Sequence, residues 1–444
     1  MRFTYVQQFT YRDFPPDFPQ RFPESVVTIP YHELVDPQRV RGAFRNGLDE
    51  MLHAARAGFD AVAVTEHGHC TYDMSPNPDL TAAAFAYATE SEGIEVGVQV
   101  LGRTLGKTRE ALRVAEEYAV LDQISGGRLL AGFPVGLAYD ANFNWGVPPV
   151  DTRARYEENY RLVMRAWTER EPFAWNGKYS QHPAVNIWPR PLQDPHPPVA
   201  LTSIGTPGTT RLALERDLGF YLVSIGGDPM VATKPVFDHF WEVAAELGTD
   251  DNPYRAAFSG FVAVADTDAE AERLYARHIE YHFSSGIGHL PLYRLAMPGG
   301  IPPEALKQLM ANAGPPPEGP PRYRDLVETG AVIAGSAATV RERLEHLART
   351  FRVGNMGLFL QIGSTPHELT KHNIDLFTRD VQPQLRPVFA EYDDRNRWWP
   401  VRLGGQPASA KQAAVAGSAA GSAAGSTAAG STAAGSTAGG GVAR

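Results

Sequence analysis

The sequence is poor in cysteine and in basic charge, and each shortage excludes a class of protein. Cys70 is the only cysteine among 444 residues, so no disulfide can form within the chain. Lys and Arg number 41 against 50 Asp and Glu, a formal charge of −9. Because no basic surplus remains to neutralise a phosphate backbone, we expect no nucleic-acid partner.

Membrane and export signals are also missing. No apolar run reaches the roughly 18 residues that a membrane-spanning helix needs. The chain begins Met1-Arg2-Phe3-Thr4-Tyr5, without the charged segment and apolar stretch of a signal peptide. We therefore expect a cytoplasmic protein that makes no contact with a membrane.

Glycine is distributed unevenly, and its distribution divides the chain. Residues 404–444 repeat Gly-Ser pairs every four or five positions among Ala and Thr, with almost no large apolar side chain. Such a segment cannot offset the entropy lost on ordering. The sequence thus predicts one folded domain over residues 1–403 and a disordered low-complexity tail over 404–444.

The folded part alternates short β-rich runs with stretches of helical periodicity. Strands are predicted at residues 3–9, 61–64, 95–101, 128–133, 199–203, 220–224, 258–264 and 356–361. Helices are predicted near 47–57, 79–91, 108–123, 152–170, 208–218, 234–247, 268–281 and 366–379. Eight strand–helix units favour an α/β fold of the (β/α)8 TIM-barrel type over an open doubly wound sheet, which usually has five or six strands.

A proline-rich region, residues 283–330, interrupts this alternation before the last strand. It is predicted to be an insertion, which either forms a lid over the site or makes a passive excursion on the surface. The loops at 136–151 and 171–198 are also rich in proline and aromatic residues.

The densest polar cluster follows the second strand, as Thr65-Glu66-His67-Gly68-His69-Cys70. In a barrel this position is the catalytic face, where His67 could transfer a proton near neutral pH and Glu66 could fix its tautomer. The alternative is a strand-end histidine bonded to backbone. His67 and His69 also match a His-x-His zinc pair, but later strand ends offer no further ligands, so we predict no metal site.

A second candidate site follows the fifth strand, in the turn from Gly205 to Thr210. A Gly/Thr-rich turn before a helix presents N–H groups and hydroxyls that suit a phosphate, and Arg153 could reach the same barrel mouth. Thr209 could instead be a plain helix cap, and Arg153 could pair with Glu157 or Glu158 on the surface.

Four runs of sequence stand out: Glu66-His67 ahead of MSPNP at 74–78, LRVAEEYAVLDQISGGRL at 112–129, RARYEE at 153–158 and NIWPRPL at 186–192. In type and in order they resemble the bacterial luciferase-like family of flavin-dependent monooxygenases, in particular its alkanal- and limonene-monooxygenase-like branch, and the likeness covers about residues 1–380.

The resemblance implies a barrel that binds FMN as FMNH2, which reacts with O2 to a flavin hydroperoxide and oxygenates a small organic substrate. It further implies a two-component system with a separate NAD(P)H:flavin reductase, and a homo-oligomer, a dimer or higher. A deazaflavin-dependent oxidoreductase on the same fold and a non-catalytic flavin-binding subunit stay open as alternatives.

The resemblance also assigns roles by position. His67 matches the catalytic histidine, with Glu66 and His69 beside it as further catalytic candidates. The expected flavin contacts are Leu101 and Gly102, often through a non-proline cis peptide, then Arg153, Gly205, Thr206, Thr209, Thr210 and Ser224. Two positions depart from the family pattern: Gly68 replaces a second histidine, and Val135 stands where many relatives have a phosphate-binding arginine.

Overall fold

The structure is a computed structural model that describes residues 1–223, 227–303, 306–307, 310 and 319–407. Its strands are β1 (Arg2–Gln7), β2 (Ala61–Val64), β3 (Gly97–Val100), β4 (Leu129–Gly132), β5 (Phe173–Asn176), β6 (Gln181–Val185), β7 (Val199–Ser203), β8 (Gly219–Val223), β9 (Ala256–Ala265), β10 (Val332–Ser336) and β11 (Asn355–Phe359). The longer helices are α1 (Pro37–Ala57), α2 (Pro78–Glu92), α3 (Ala111–Ile124), α4 (Pro149–Thr168), α5 (Pro207–Glu215), α6 (Lys234–Glu246), α7 (Asp268–Ser285), α8 (Ala337–Phe351) and α9 (His367–Leu376).

Eight of the strands close into a parallel barrel. The order around the ring is β1, β2, β3, β4, β7, β8, β9 and β11, and β11 pairs back onto β1. The (β/α)8 barrel is therefore confirmed, with each of the eight predicted strands in the ring. The sequence did not predict β10, which lies outside the ring and pairs with the last five residues of β9.

The barrel strands are buried on both faces, and the two faces belong to different clusters. In β2 the β-branched Val62 and Val64 face the outer core between strands and helices, whereas Ala63 belongs to a second buried cluster with Val6 and Ala257. The strand residues of this second cluster line the barrel interior, where small side chains such as Ala63 lie beside large ones such as Phe261.

Local signals start and stop the helices that surround the barrel. The Asp36 carboxylate accepts a bond from the N–H of Gln38 at the start of α1, and Asn77 does the same for Asp79 in α2. Gly58 and Gly93 end these two helices with positive φ angles of 102° and 69°. The chain therefore returns to the barrel for β2 and β3 over short connections.

The predicted insertion before the last barrel strand is confirmed and lies between α7 and β10. Its described part contains the short turns Ile287–His289, Leu292–Leu295 and Tyr323–Glu328. The other proline-rich loop, residues 171–198, contains the antiparallel hairpin of β5 and β6. Shorter helical turns lie at Phe18–Arg21, Tyr31–Leu34, Tyr139–Phe143, Pro229–Ala232, Pro253–Arg255, Phe377–Val381, Gln382–Leu385, Ala390–Arg395 and Val401–Leu403.

The last described residues continue past the predicted domain boundary. Residues 404–407 stay attached to the barrel, since the N–H of Gln406 donates to the carbonyl of Asn396 at 2.7 Å. The rest of the predicted disordered tail, residues 408–444, lies outside the described residues. Within the described ranges, none of the helices combines the length and the apolar character that crossing a bilayer requires.

Candidate active site

A pocket opens at the carboxyl ends of the barrel strands, where the fold class places chemistry. Residues after β2, β3, β4 and β7 form its floor and sides, and the insertion adds a further wall. The lining includes Gln8, Thr65, Glu66, His67, Tyr72, Leu101, Gly102, Thr104, Pro134, Val135, Leu137, Asp140, Arg153, Thr202, Ile204, Thr206, Thr209, Val223, Phe261, Ile287, Leu295, Ile301 and Phe359.

His67 lines this pocket three residues after the end of β2, and loop residues hold its ring. Its Nδ1 lies 2.9 Å from Asp140 Oδ2 and 2.7 Å from the hydroxyl of Tyr139. That hydroxyl in turn lies 2.5 Å from the hydroxyl of Tyr72. Burial alone would lower the pKa of His67, but the charge of Asp140 and the bond to it outweigh burial, so the pKa is raised.

Glu66 lines the pocket but does not set the tautomer of His67, so that part of the prediction is wrong. Its Oε2 accepts the N–H of Thr104 at 2.6 Å, and its Oε1 lies 3.4 Å from Lys107 Nζ. The side chain therefore points to the loop after β3, where it holds the start of that loop. Asp140, from a loop 73 residues away, takes the place beside His67.

Leu101 and Gly102 line the pocket directly after β3. A Cβ on Gly102 would lie 1.9 Å from Pro134 Cδ, so only glycine allows the loops after β3 and β4 to meet here. The expected cis peptide is absent at this position: the cis bonds of the described chain precede Pro189 and Pro195.

Arg153, Thr206 and Thr209 meet on the β7 side of the same pocket. Arg153 Nη2 lies 3.3 Å from Thr209 Oγ1, which lies 2.7 Å from Thr206 Oγ1. Thr206 precedes the first turn of α5, where Pro207 has no N–H and the N–H groups of Thr209 and Thr210 already donate to the Thr206 carbonyl. One guanidinium and two hydroxyls thus converge on one spot, which suits an anion.

Three of the predicted site residues within the described chain do not line the pocket. His69 is exposed, with a left-handed φ of 51°, and its carbonyl accepts the N–H of Val27. Gly205, at φ 91°, makes the turn into α5, where a Cβ would meet Val236 at 2.7 Å. Thr210 is buried within α5. Ser224 lies outside the described residues.

The insertion contributes Ile287, Leu295 and Ile301 to the pocket wall. A buried ion pair fastens it to the N-terminal loop: Arg294 Nε and Nη2 lie 2.5 Å and 2.7 Å from the two oxygens of Glu24. Because this region closes one side of the site, its position is that expected of a lid.

Three pocket residues were not predicted from the sequence: Gln8, Tyr72 and Asp140. Gln8 is 4% exposed and its Oε1 has no hydrogen-bond partner in the described part of the chain, although the side chain lines the pocket. Such an orphaned acceptor is expected where a ligand completes the site. The only prior signal for Asp140 was its place in the aromatic loop 136–151.

Among the described residues, no group of three or more His, Cys, Asp and Glu is arranged to hold a metal ion.

Known proteins are similar to this chain in sequence and in architecture. The family model described as luciferase-like monooxygenase matches residues 24–352, about three-quarters of the chain. The 3,6-diketocamphane 1,6-monooxygenase of Pseudomonas putida is 27% identical over 272 residues, which are 55% of this chain and 70% of that protein. The oxygenase component of a flavin-dependent trigonelline monooxygenase from Acinetobacter baylyi is 30% identical over 34% of this chain and 42% of its own length.

A solved structure gives the same result for the fold. The oxygenating constituent of the P. putida 3,6-diketocamphane monooxygenase, crystallised with FMN, superimposes with a TM-score of 0.60. The match covers 78% of this chain and 93% of that chain at 24% identity, which is evidence for the fold alone.

Proposed function

The chain belongs to the luciferase-like monooxygenase family and is a flavin-dependent monooxygenase, and on that premise we propose that it is the oxygenase of a two-component system that uses FMNH2 and O2. The observation that carries the proposal is one pocket that contains both an anion site and a partnered histidine. The relative from A. baylyi is itself named an oxygenase component, which supports a separate NAD(P)H:flavin reductase.

The residues present fit a flavin mononucleotide. Arg153, Thr206 and Thr209 would hold the phosphate, because a guanidinium and hydroxyls at a helix start bind phosphate oxygens. Leu101 and Gly102 would support the ring, and the unpaired Gln8 Oε1 would accept a ring N–H. The reduced cofactor, when bound, supplies the electrons that activate O2.

The remaining lining favours an uncharged, mainly apolar substrate. Arg153 is the only Lys or Arg among the lining residues of the described chain, so no cation is left for an anionic substrate once phosphate is bound. Leu137, Ile287, Leu295 and Ile301 supply the apolar surface. The walls would also exclude water from the reaction.

An anaerobic titration of the full chain with FMNH2 and with reduced riboflavin tests the phosphate site. Arg153→Ala removes a charge-assisted contact of about 1.5–3 kcal/mol, so Kd for FMNH2 should rise by roughly 10- to 100-fold. Reduced riboflavin, which lacks the phosphate, should bind both proteins alike. Arg161→Ala, an exposed arginine on the same helix, is the matched control and should change neither affinity.

Turnover is then measured with a flavin reductase, ¹⁸O2 and neutral terpenoid or long-chain carbonyl compounds. One ¹⁸O atom in the product supports the proposal. Failure to bind FMNH2, or equal affinities for FMNH2 and reduced riboflavin in the wild type, contradicts it. Reaction with a reduced deazaflavin instead would establish the alternative oxidoreductase.

The finer expectations stay predictions: homo-oligomeric assembly, a cytoplasmic location, the domain boundary at 403/404, and catalytic roles for His67, Glu66 and His69. Of these three residues we retain His67 as the proton-transfer group, because it lines the pocket and has an acidic partner.

A further inference from the structure

His67 has a partner arrangement that determines which ring nitrogen carries the proton. The Asp140 side chain is 2% exposed, and both of its oxygens are used: Oδ2 faces His67 Nδ1, and Oδ1 accepts the backbone N–H of Gly68 at 3.2 Å. Asn144 adds a second link, since its Nδ2 donates to the Gly68 carbonyl at 2.8 Å. Hydrogen bonds from the loop over residues 136–148 therefore hold Gly68, in the segment after β2, in place.

A carboxylate accepts hydrogen bonds and cannot donate them, so Nδ1 must carry a proton to bond with Asp140. The hydroxyl of Tyr139 also lies beside Nδ1, but it can donate its own hydrogen bond to the Tyr72 hydroxyl and accept a second, shared hydrogen bond from Nδ1–H. Every contact is then satisfied with the proton on Nδ1. A proton on Nε2 would instead place two lone pairs face to face.

The opposite nitrogen is left free. His67 Nε2 has no hydrogen-bond partner within the described chain and is not among its fully buried unpaired atoms, while the ring lines the pocket. With Nδ1 protonated, neutral His67 presents a lone pair at Nε2, and the charged form presents a proton there.

We propose that Asp140 is the positioning residue of the site: it holds His67 in the Nδ1–H tautomer, so that Nε2 is the atom that takes up or releases a proton in the pocket. This inference rests on the proposed function for its chemistry, but its geometry stands without the flavin. A proton gained at Nε2 gives an imidazolium whose charge Asp140 balances.

The contact also involves one of the two positions that depart from the family pattern. Gly68, which replaces a second histidine, donates its backbone N–H to Asp140. Any residue except proline could make this bond, and a Cβ at Gly68 would meet nothing closer than Asn144 Nδ2 at 3.8 Å, so the contact does not require glycine.

Charged groups other than Asp140 also lie near His67 and affect its pKa. Asp73, on the loop after β2, favours the charged ring, whereas Lys107, on the loop after β3, opposes it. Tyr72, Tyr139 and Cys70 also pack in this region, and burial raises the pKa of all three, so they stay neutral near pH 7. Among the described residues, Asp140 is the only carboxylate in hydrogen-bond contact with the ring.

The test uses the full flavin-free chain labelled with ¹⁵N-histidine, and NMR reports the tautomer and the pKa of each ring. His67→Gln identifies the His67 signals. The wild type should show the Nδ1–H tautomer with a pKa above the ordinary value. Asp140→Asn should turn an amide donor toward Nδ1, shift the proton to Nε2 and lower the pKa, because the neighbouring negative charge is lost.

Two variants separate positioning from general packing. Tyr139→Phe removes the competing hydroxyl but keeps the ring, which stacks 5.9 Å from His67, and should leave the tautomer unchanged. Asp140→Glu should restore part of the wild-type pKa. In turnover, Asp140→Asn should lower kcat about 100-fold with little change in FMNH2 affinity, which is the range of general acid–base catalysis.

An Nε2–H tautomer in the wild type would overturn the proposal, and so would an unchanged tautomer and pKa in Asp140→Asn. The wild-type spectrum decides the question even if the variant does not fold. If the spectra agree with the proposal but the wild type neither binds nor uses FMNH2, the proposed function fails and the Asp140–His67 pairing stands.

Discussion

Breaking the ion pair that fastens the insertion should open one wall of the pocket without unfolding the barrel. Arg294 reaches Glu24 through two nitrogens, and the two side chains are 7% and 0% exposed. Ser25 adds to the fastening, because its hydroxyl donates to the Gly286 carbonyl at 2.6 Å. The perturbation is Arg294→Ala.

The expected cost follows from what the substitution leaves behind. Without the guanidinium, the buried Glu24 carboxylate keeps one side-chain donor, the hydroxyl of Thr28 at 2.7 Å. Removing one partner of a buried pair costs about 3–5 kcal/mol. Even the lower figure is equal to an increase of roughly 100-fold in the opening equilibrium of the segment.

Hydrogen exchange followed by mass spectrometry measures this opening directly. Peptides over residues 286–301 should exchange about 100-fold faster, because bonds such as Arg294 N–H to the Pro291 carbonyl break on opening. Peptides from β2 and β3 should not change. Arg324→Ala, which removes an exposed pair with Glu272, is the control and should cost less than about 1 kcal/mol.

The double variant Glu24→Gln with Arg294→Met tests the cause, since it leaves no unpaired buried charge and should recover much of the protection. Unchanged exchange over 286–301 in Arg294→Ala would refute the reasoning. Faster exchange across the whole barrel would also refute it, because the ion pair would then support the core and not the wall.

A fall in pH should also weaken the ion pair between Arg294 and Glu24. Burial would raise the pKa of Glu24, but the bonds from Arg294 and Thr28 outweigh it and the pKa is lowered. The pair therefore contributes its stability above the ordinary glutamate pKa and loses it as pH falls through the lowered value. Exchange over 286–301 should then accelerate below about pH 4, and the Arg294→Ala variant should lack this step.

Two further substitutions probe the floor of the site and the outer layer. Gly102→Ala should destabilise the fold by about 2 kcal/mol in urea unfolding and weaken FMNH2 binding, because its Cβ would overlap Pro134; full stability would contradict the close approach. His367 joins α9 to α1 through Glu50, whose hydrogen bond raises the pKa of the imidazole. The stability lost in His367→Gln should be largest below about pH 6.5 and should vanish as pH rises through the raised pKa, and a difference that grows with pH would contradict this sign.

The sequence was sufficient for the barrel because each strand and helix carries its own periodic signal. Ala61 to Val64 alternates small and β-branched side chains, and residues 47–57 have apolar side chains at helical spacing, so neighbours along the chain specify both elements. The helix itself begins earlier than predicted, at Pro37. β10 was missed because it directly follows a proline-rich insertion and adds to β9 outside the ring.

In the candidate site, too, the sequence predicted some features correctly and others wrongly. His67 could be predicted because a polar cluster at the end of a buried strand faces the catalytic side of any barrel. Glu66 was assigned to His67 because the two are adjacent in sequence, yet successive side chains after a strand point in different directions, and Glu66 turns to Lys107.

By itself, then, the sequence determined the order of the eight barrel strands, the closed ring, the place of His67 after a strand end and that of Arg153 on the helix after the fourth strand. It missed β10 and the helix α8 that follows it. Only the tertiary structure decided the side-chain partners: Asp140 for His67, Thr209 for Arg153 and Glu24 for Arg294. The physical reason is the distance along the chain between the residues that interact. Periodicity and capping act between residues a few positions apart, whereas these contacts join residues 73, 56 and 270 positions apart and exist only after ring closure brings the loops together.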